Sequence, residues 1–258
     1  MFYIKQIVRS ILNLFNIDFY NTINTIKVSK KIWMPINNRE KNKSFKLYYE
    51  GLNISKSTWS DNLSKQLKFF SLIQMVQYVL NKEFIGDFVE CGCWKGHSSW
   101  IIAKLITERK IMFNFHIFDS FEGGLSELHI KDKNKIKNLS EKEIINQKNH
   151  FSSNEEFVKR ILNGFDFVKI YKGWIPKRFD EIKNNSFQFI HIDLDLYEPT
   201  LESLKFFFPR LINGGVIVCD DYNETEFPGA KKAWDEYFEN KDLTFFYESP
   251  YGGCFLIK

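Results

Sequence analysis

Phe84-Ile-Gly-Asp-Phe-Val-Glu-Cys-Gly-Cys-Trp-Lys-Gly-His-Ser-Ser99 is the stretch on which the reading of this chain turns. Residues 88–91 read as a short apolar strand that runs into a glycine turn and then opens a helix. Glu90, Gly92 and Gly96 make the pattern Glu-x-Gly-x-x-x-Gly, and Ser98 and Ser99 are placed to cap the helix that continues as Trp100-Ile-Ile-Ala-Lys-Leu-Ile106. A strand, a glycine turn and a helix N-terminus together form a small-molecule site at the carboxyl edge of a parallel sheet. The glycines let backbone approach a ligand closely, and Glu90 can accept from an amine or from hydroxyls. The dinucleotide pattern Gly-x-Gly-x-x-Gly is absent here, which argues against NAD.

Working outward, residues 111–118 form a second strand that ends in Asp119-Ser-Phe-Glu-Gly-Gly124. An acid in that position relative to Gly92 is where the two hydroxyls of a nucleoside ribose are held, with Ser120 beside it; an Asx-turn is the structural alternative. Residues 125–152 show little periodicity and read as a lid or loop. A helix over 155–162 and a strand over 167–171 follow, and Trp174 beyond that strand stands either against an adenine ring or in plain packing. Residues 187–197 read as a fourth strand ending in acids, 209–215 as a Gly-Gly turn, and 216–222 as a fifth strand. A helix over 229–238 and a hairpin of 244–248 with 253–258 complete a doubly wound, mostly parallel α/β sheet of Rossmann type.

Asp193 and Asp220 are separated by the length of one strand-helix-strand unit. If their strands are neighbours, about 4.8 Å apart, then Asp193, Asp195, Asp220 and Asp221 surround one crevice. Carboxylates this close repel, so either some hold protons or a cation sits among them, and oxygen-only ligands favour Mg²⁺, Mn²⁺ or Ca²⁺. Separate helix-capping and turn roles for each Asp are the alternative. His191 shares strand parity with Asp193 and Asp195 and reads as a buried, hydrogen-bonded histidine; His97 stands at a helix start where it can reach a ligand.

Upstream, residues 2–16 place Ile4, Ile7, Val8, Ile11, Leu12, Leu14 and Phe15 at helical spacing against a polar face. That helix docks on the core or a partner subunit, or lies peripherally on a membrane. Residues 21–58 read as a polar linker or lid, and 63–80 as an amphipathic helix leading into the central strand. Residues 1–60 carry ten Lys and Arg against three Asp and Glu, so a chain of net charge +4 has a basic arm, 1–60, ahead of a slightly acidic domain, 61–258. No apolar run reaches membrane-spanning length and the amino terminus lacks signal-peptide character, which makes a cytoplasmic protein the expectation. Cys91, Cys93, Cys219 and Cys254 lack disulfide-scaffold or zinc spacing and read as buried thiols.

An acid ahead of Gly-x-x-x-Gly resembles the first motif of class I S-adenosylmethionine (SAM) methyltransferases. His191-Ile-Asp-Leu-Asp-Leu-Tyr-Glu-Pro-Thr200, Pro209-Arg-Leu-Ile-Asn-Gly-Gly215, Asp220-Asp-Tyr222, Asp119-Ser-Phe-Glu-Gly123 and Gly173-Trp174 narrow this to a resemblance to the macrocin O-methyltransferase family over about residues 63–258. The resemblance implies a class I fold of seven strands and methylation of a sugar hydroxyl in a glycoside, polysaccharide or glycosylated natural product. It implies Asp193, Asp220 and Asp221 as Mg²⁺ ligands and Asp195 as general base. SAM would be held by Glu90, Gly92, Gly96, Ser98, Ser99, Asp119, Ser120 and Trp174. The expected partner is an acceptor with vicinal hydroxyls, in a homo-oligomer, with no nucleic acid. Two alternatives stand beside it. A glycosyltransferase would use Asp193-Leu-Asp195 as a metal motif but leaves the glycine turn, Asp119 and the Asp220-Asp221 pair unexplained; a non-catalytic scaffold leaves all the acids unexplained.

Overall fold

The computed structural model describes residues 17–19, 27–29, 43–109, 113–132, 149–224 and 227–258. The amphipathic stretch 2–16, most of the linker 20–42 and residues 133–148 of the long loop lie outside them. Two short strands, β1 (Ile17–Phe19) and β2 (Lys27–Ser29), pair antiparallel with each other.

The linker reading fails for residues 43–54. There the chain forms helix α1 (Lys43–Ile54), which buries Ser44, Leu47, Tyr48, Gly51 and Leu52. Those positions recur at helical spacing, but Ser and Gly supply two of them, so hydropathy alone does not reveal the stripe. Tyr48 donates to Asp61 (2.8 Å), and so does Gln66 (2.9 Å), which ties α1 to helix α2 (Leu63–Leu80). Asn62 caps α2 by accepting from the Lys65 amide at 2.9 Å.

Strand β3 (Asp87–Cys91) follows, then α3 (His97–Thr107), β4 (Phe115–Asp119), α4 (Glu155–Ile161), β5 (Val168–Lys172) and β6 (Phe187–Ile192). Helix α5 (Tyr197–Phe207), β7 (Leu211–Cys219), α6 (Gly229–Phe238), β8 (Phe245–Glu248) and β9 (Cys254–Ile257) complete the chain. Seven strands lie in the order β5-β4-β3-β6-β7-β9-β8, with the first five parallel and β9 antiparallel to both its neighbours. This is the expected sheet. The fourth strand stops at Ile192 rather than continuing to residue 197, and the second begins at Phe115. Gly214-Gly215 lies inside β7, where the register against β6 shifts, rather than in a turn before it.

Strand alternation sorts the core into two layers. Phe88, Phe115, Phe189, Val216 and Val218 face α1, α2 and α3, while Val89, Cys91, Ile190, Ile192 and Ile217 face α5 and α6. Both faces are covered, so the strands read as continuous apolar runs. From β3 the chain winds to β5 on one side and then returns to β6 on the other. The strand order therefore reverses between β3 and β6, and a crevice opens at their carboxyl ends. All four cysteines are free and buried, and no described helix is long and apolar enough to cross a membrane.

Candidate active site

Five strand ends are tied into one row by backbone hydrogen bonds. Gly173 donates to Asp119 (2.9 Å), Gly92 to Phe118 (2.8 Å), Asp193 to Cys91 (2.9 Å) and Asp220 to Ile192 (2.9 Å). Every acid singled out in the sequence, apart from Glu90, lies along or just above this row.

On the side where a Cβ would project, the glycine turn packs directly against protein. Gly92 has φ +84°, and a Cβ there would fall 1.8 Å from the Asp193 carbonyl oxygen. Gly96, at φ +75°, precedes α3, and a Cβ on it would meet Ile161 Cδ1 at 2.9 Å. Both glycines are needed so that neighbouring segments can touch. Ser98 and Ser99 sit inside the first turn of α3, buried, and neither caps it. Ser99 instead donates to Glu90 Oε2, while Glu90 Oε1 meets His191 Nδ1 at 2.9 Å. Glu90 is fully buried beneath the turn, opposite His191 in the register of β3 and β6, and both its oxygens are engaged by the protein. Burial works to lower the His191 pKa, but the Glu90 carboxylate outweighs it and the net shift is upward. His97 packs inward, stacked on Phe69 at 4.2 Å and bonded to the Tyr48 carbonyl at 2.9 Å, so it joins α3 to α1 and not to a ligand.

Asp119 orders the turn from the neighbouring strand. Its Oδ2 accepts from the amides of Cys93 (2.9 Å) and Trp94 (3.1 Å), and its Oδ1 from that of Phe121 (2.9 Å). The last of these is the Asx-turn weighed as an alternative. Carboxylate oxygens accept more than one donor, so lone-pair capacity for hydroxyls remains. Ser120 and Trp174 stand at the same edge, where the Trp174 indole donates to Glu122 (2.9 Å) and Ser120 Oγ receives the Glu122 amide (3.4 Å).

The other half of the crevice is acidic. Carboxylate oxygens of Asp193, Asp220 and Asp221 all lie within 4.8 Å of one another. Asp221 Oδ2 accepts from the amides of Leu194 (2.8 Å) and Asp195 (2.7 Å), which folds the 193–195 turn over the cluster. Asp195 stands beyond the strand with φ +59°, so strand parity does not place it; the turn does. Burial, followed by the charge of Asp221, pushes the Asp193 and Asp195 carboxyls well above the usual range, and burial with Asp220 raises Asp221 to about 6. Oxygen donors this close and this hard to ionise together suit a hard divalent cation.

Two lysines of α2 that sequence reasoning passed over reach this crevice. Lys68 Nζ lies 3.4 Å from Asp220 and 2.6 Å from Glu224; burial works to lower its pKa, but Asp220, Asp221 and Glu224 raise it overall. Lys65 Nζ donates to Ser60 Oγ at 2.6 Å and lies 5.8 Å from the centre of the Trp94 ring. Their spacing of three on one helix face was the available signal.

A seven-stranded sheet of this order, flanked by helices, is the α/β fold of the class I O-methyltransferases. The O-methyltransferase NovP shares it, with a TM-score of 0.64 at 19% identity over 84% of this chain and 99% of that one. The family described as macrocin-O-methyltransferase (TylF) matches residues 52–246, and the chain belongs to that family. It is 25% identical over 185 residues to the demethyldecarbamoylnovobiocin O-methyltransferase of Streptomyces niveus, covering 66% of this chain and 64% of that protein. It is 28% identical over 159 residues to the 8-demethyl-8-(2,3-dimethoxy-alpha-L-rhamnosyl)-tetracenomycin-C 4'-O-methyltransferase of Streptomyces olivaceus, covering 57% of each. The match spans less than two thirds of the length of either relative.

Proposed function

We propose that this chain is a SAM-dependent and divalent-metal-dependent O-methyltransferase whose acceptor is a sugar hydroxyl in a glycoside, polysaccharide or glycosylated natural product. The observation that carries the reading is the Asp193, Asp220 and Asp221 cluster, within 4.8 Å, immediately beside a glycine turn ordered by Asp119. Family membership and the names of the two relatives support the sugar acceptor.

Bound SAM would supply an activated methyl group, and a bound Mg²⁺ or Mn²⁺ would supply positive charge that acidifies a hydroxyl held against it. The remaining work falls to the protein. Asp119, with Ser120 and Trp174 at its edge, would hold the nucleoside end; Glu90 acts from below by fixing β3 to β6 and α3 rather than by touching the cofactor. Asp193, Asp220 and Asp221 would hold the metal. Asp195 stands on the same turn and, as the carboxylate beside a bound cation, would take the proton as the hydroxyl oxygen becomes the nucleophile. Alignment of oxygen behind methyl carbon supplies much of the rate.

Methyl transfer to a panel of candidate glycosides, followed by mass spectrometry, tests this. Activity is expected to disappear in EDTA and return with Mg²⁺ or Mn²⁺. Full activity in chelator overturns the metal assignment, and binding of NADH or a UDP-sugar without SAM overturns the cofactor assignment.

A further inference from the structure

The crevice is rich in negative charge: Asp119, Asp193, Asp195, Asp220 and Asp221 all border it. SAM brings another negative charge, the α-carboxylate of its methionine part. A divalent cation and Lys68 answer the aspartates, but neither is placed for a carboxylate lying over the glycine turn. Lys68 is already shared by Asp220 and Glu224.

Lys65 is differently situated. Among the described residues no carboxylate lies within ion-pair distance of its ammonium, and its hydrogen-bond partner is the neutral hydroxyl of Ser60. Its Nζ lies 5.8 Å from the ring centre of Trp94, the residue that follows Gly92-Cys93 in the turn, and 5.6 Å from that of Phe69. Asp193 and Asp220 act on it through space from the metal side. The ammonium therefore stands near the Trp94 ring, within the electrostatic reach of Asp193, Asp220 and Asp61 on one hand and of Lys95 on the other.

We propose that Lys65 binds the α-carboxylate of SAM, and so fixes the methionine end of the cofactor opposite the ribose end at Asp119. This rests on the SAM reading above. In that arrangement Asp119 at the end of β4 would hold the ribose end and Lys65 of α2 the amino-acid end. Burial, against the pull of Asp193 and Asp220, holds the Lys65 ammonium down at about 8, so an arriving carboxylate meets a partly desolvated cation and restores its full charge.

The test uses the full chain and three probes: S-adenosylhomocysteine, its decarboxylated analogue, which keeps the amine, and methylthioadenosine, which lacks the amino-acid part. Calorimetry on the wild type should show S-adenosylhomocysteine bound more tightly than the decarboxylated analogue. Lys65→Met should weaken S-adenosylhomocysteine by about tenfold or more, as expected on removing one partner of a desolvated charge pair. The same variant should leave the other two probes within about twofold, and Lys65→Arg should recover part of the loss. Equal losses for all three probes, or no loss for any, overturn the assignment of Lys65 while leaving the SAM reading intact. Failure of the wild type to bind S-adenosylhomocysteine overturns the SAM reading and this proposal together. The wild-type preference for the carboxylate-bearing probe is read without any variant, so a Lys65→Met that fails to fold leaves the test open to Lys65→Arg: an unchanged preference ratio in Lys65→Arg together with no preference in the wild type overturns the proposal.

Discussion

The two halves of the crevice solve opposite electrostatic problems. At the ends of β3 and β4 each acid is satisfied from within: Asp119 by three amides, Glu90 by His191 and Ser99. At the ends of β6 and β7 Asp220 meets Lys68 and Asp221 accepts two amides, while burial and mutual repulsion drive the Asp193, Asp195 and Asp221 carboxyls toward the protonated form. The first half is complete as folded. The second is short of positive charge until something supplies it. On the proposed reading, the half ordered from within would take the cofactor, and the half short of positive charge would take the ion and the acceptor.

Asp220→Asn breaks the incomplete half most directly. Turnover should fall by of the order of 10³-fold, as for loss of a principal electrostatic group, while calorimetry shows S-adenosylhomocysteine affinity within about twofold. Removing one like charge from the cluster should also leave the metal-free melting temperature undiminished. A large loss of cofactor affinity in this variant would mean that the halves are not separable.

Asp195→Asn isolates the proton acceptor from the metal ligands. Asn tolerates the left-handed backbone at φ +59° as well as Asp does, and the backbone amide still reaches Asp221. The turnover rate should drop by about 10²-fold with Mg²⁺ affinity and melting temperature near those of the wild type. If Mg²⁺ affinity falls in step with rate, Asp195 is a ligand; if only stability falls, it is a turn residue.

Asp119→Ala tests the complete half. It removes the acceptor for three amides at once, so S-adenosylhomocysteine binding should weaken by about tenfold and stability should fall by about 1–3 kcal/mol in denaturant titration. Unlike the first two variants, it should harm folding and binding together.

The smallest expected effect follows from the raised carboxyls. Their folded pKa values exceed those of the unfolded chain, so between the unfolded value, near 3.9 for Asp, and about 6 for Asp221 the folded state holds the extra protons. Stability of the metal-free protein is therefore lost as pH rises through that window. If Mg²⁺ binds the cluster it would restore that stability by replacing the protons, and its increment in melting temperature should be larger at pH 7 than at pH 5. Equal increments at both pH values would mean that the ion displaces no protons.

The contrast also explains what the sequence disclosed. Phe88, Val89, Ile190, Ile217 and their neighbours form apolar runs because both sheet faces are covered, and the acids at 119, 193 and 220 stand where those runs stop. Strand ends are local features, so the crevice was legible. The Glu90–His191 pair was not, because it depends on the register between strands a hundred residues apart. Lys68 meets Asp220 across 152 residues of chain, and its spacing of three from Lys65 marks a shared helix face without saying what that face meets. The close contacts that the glycines make with Asp193 and Ile161 were not legible either, because they too join segments distant in sequence. Helix α1 escaped because its buried stripe includes Ser44 and Gly51.

The absent side chain at Gly92 has a consequence for how the molecule can diversify. With the Asp193 carbonyl seated where a Cβ would project, the turn after β3 and the turn after β6 are in direct contact. The span between the two half-sites is thereby a fixed length, set by backbone and not adjustable by a change of residue type at either turn. Change in what enters the crevice would come from surrounding segments that do not carry this contact, such as residues 43–61 and the stretch around Asp132 that packs on the start of α5.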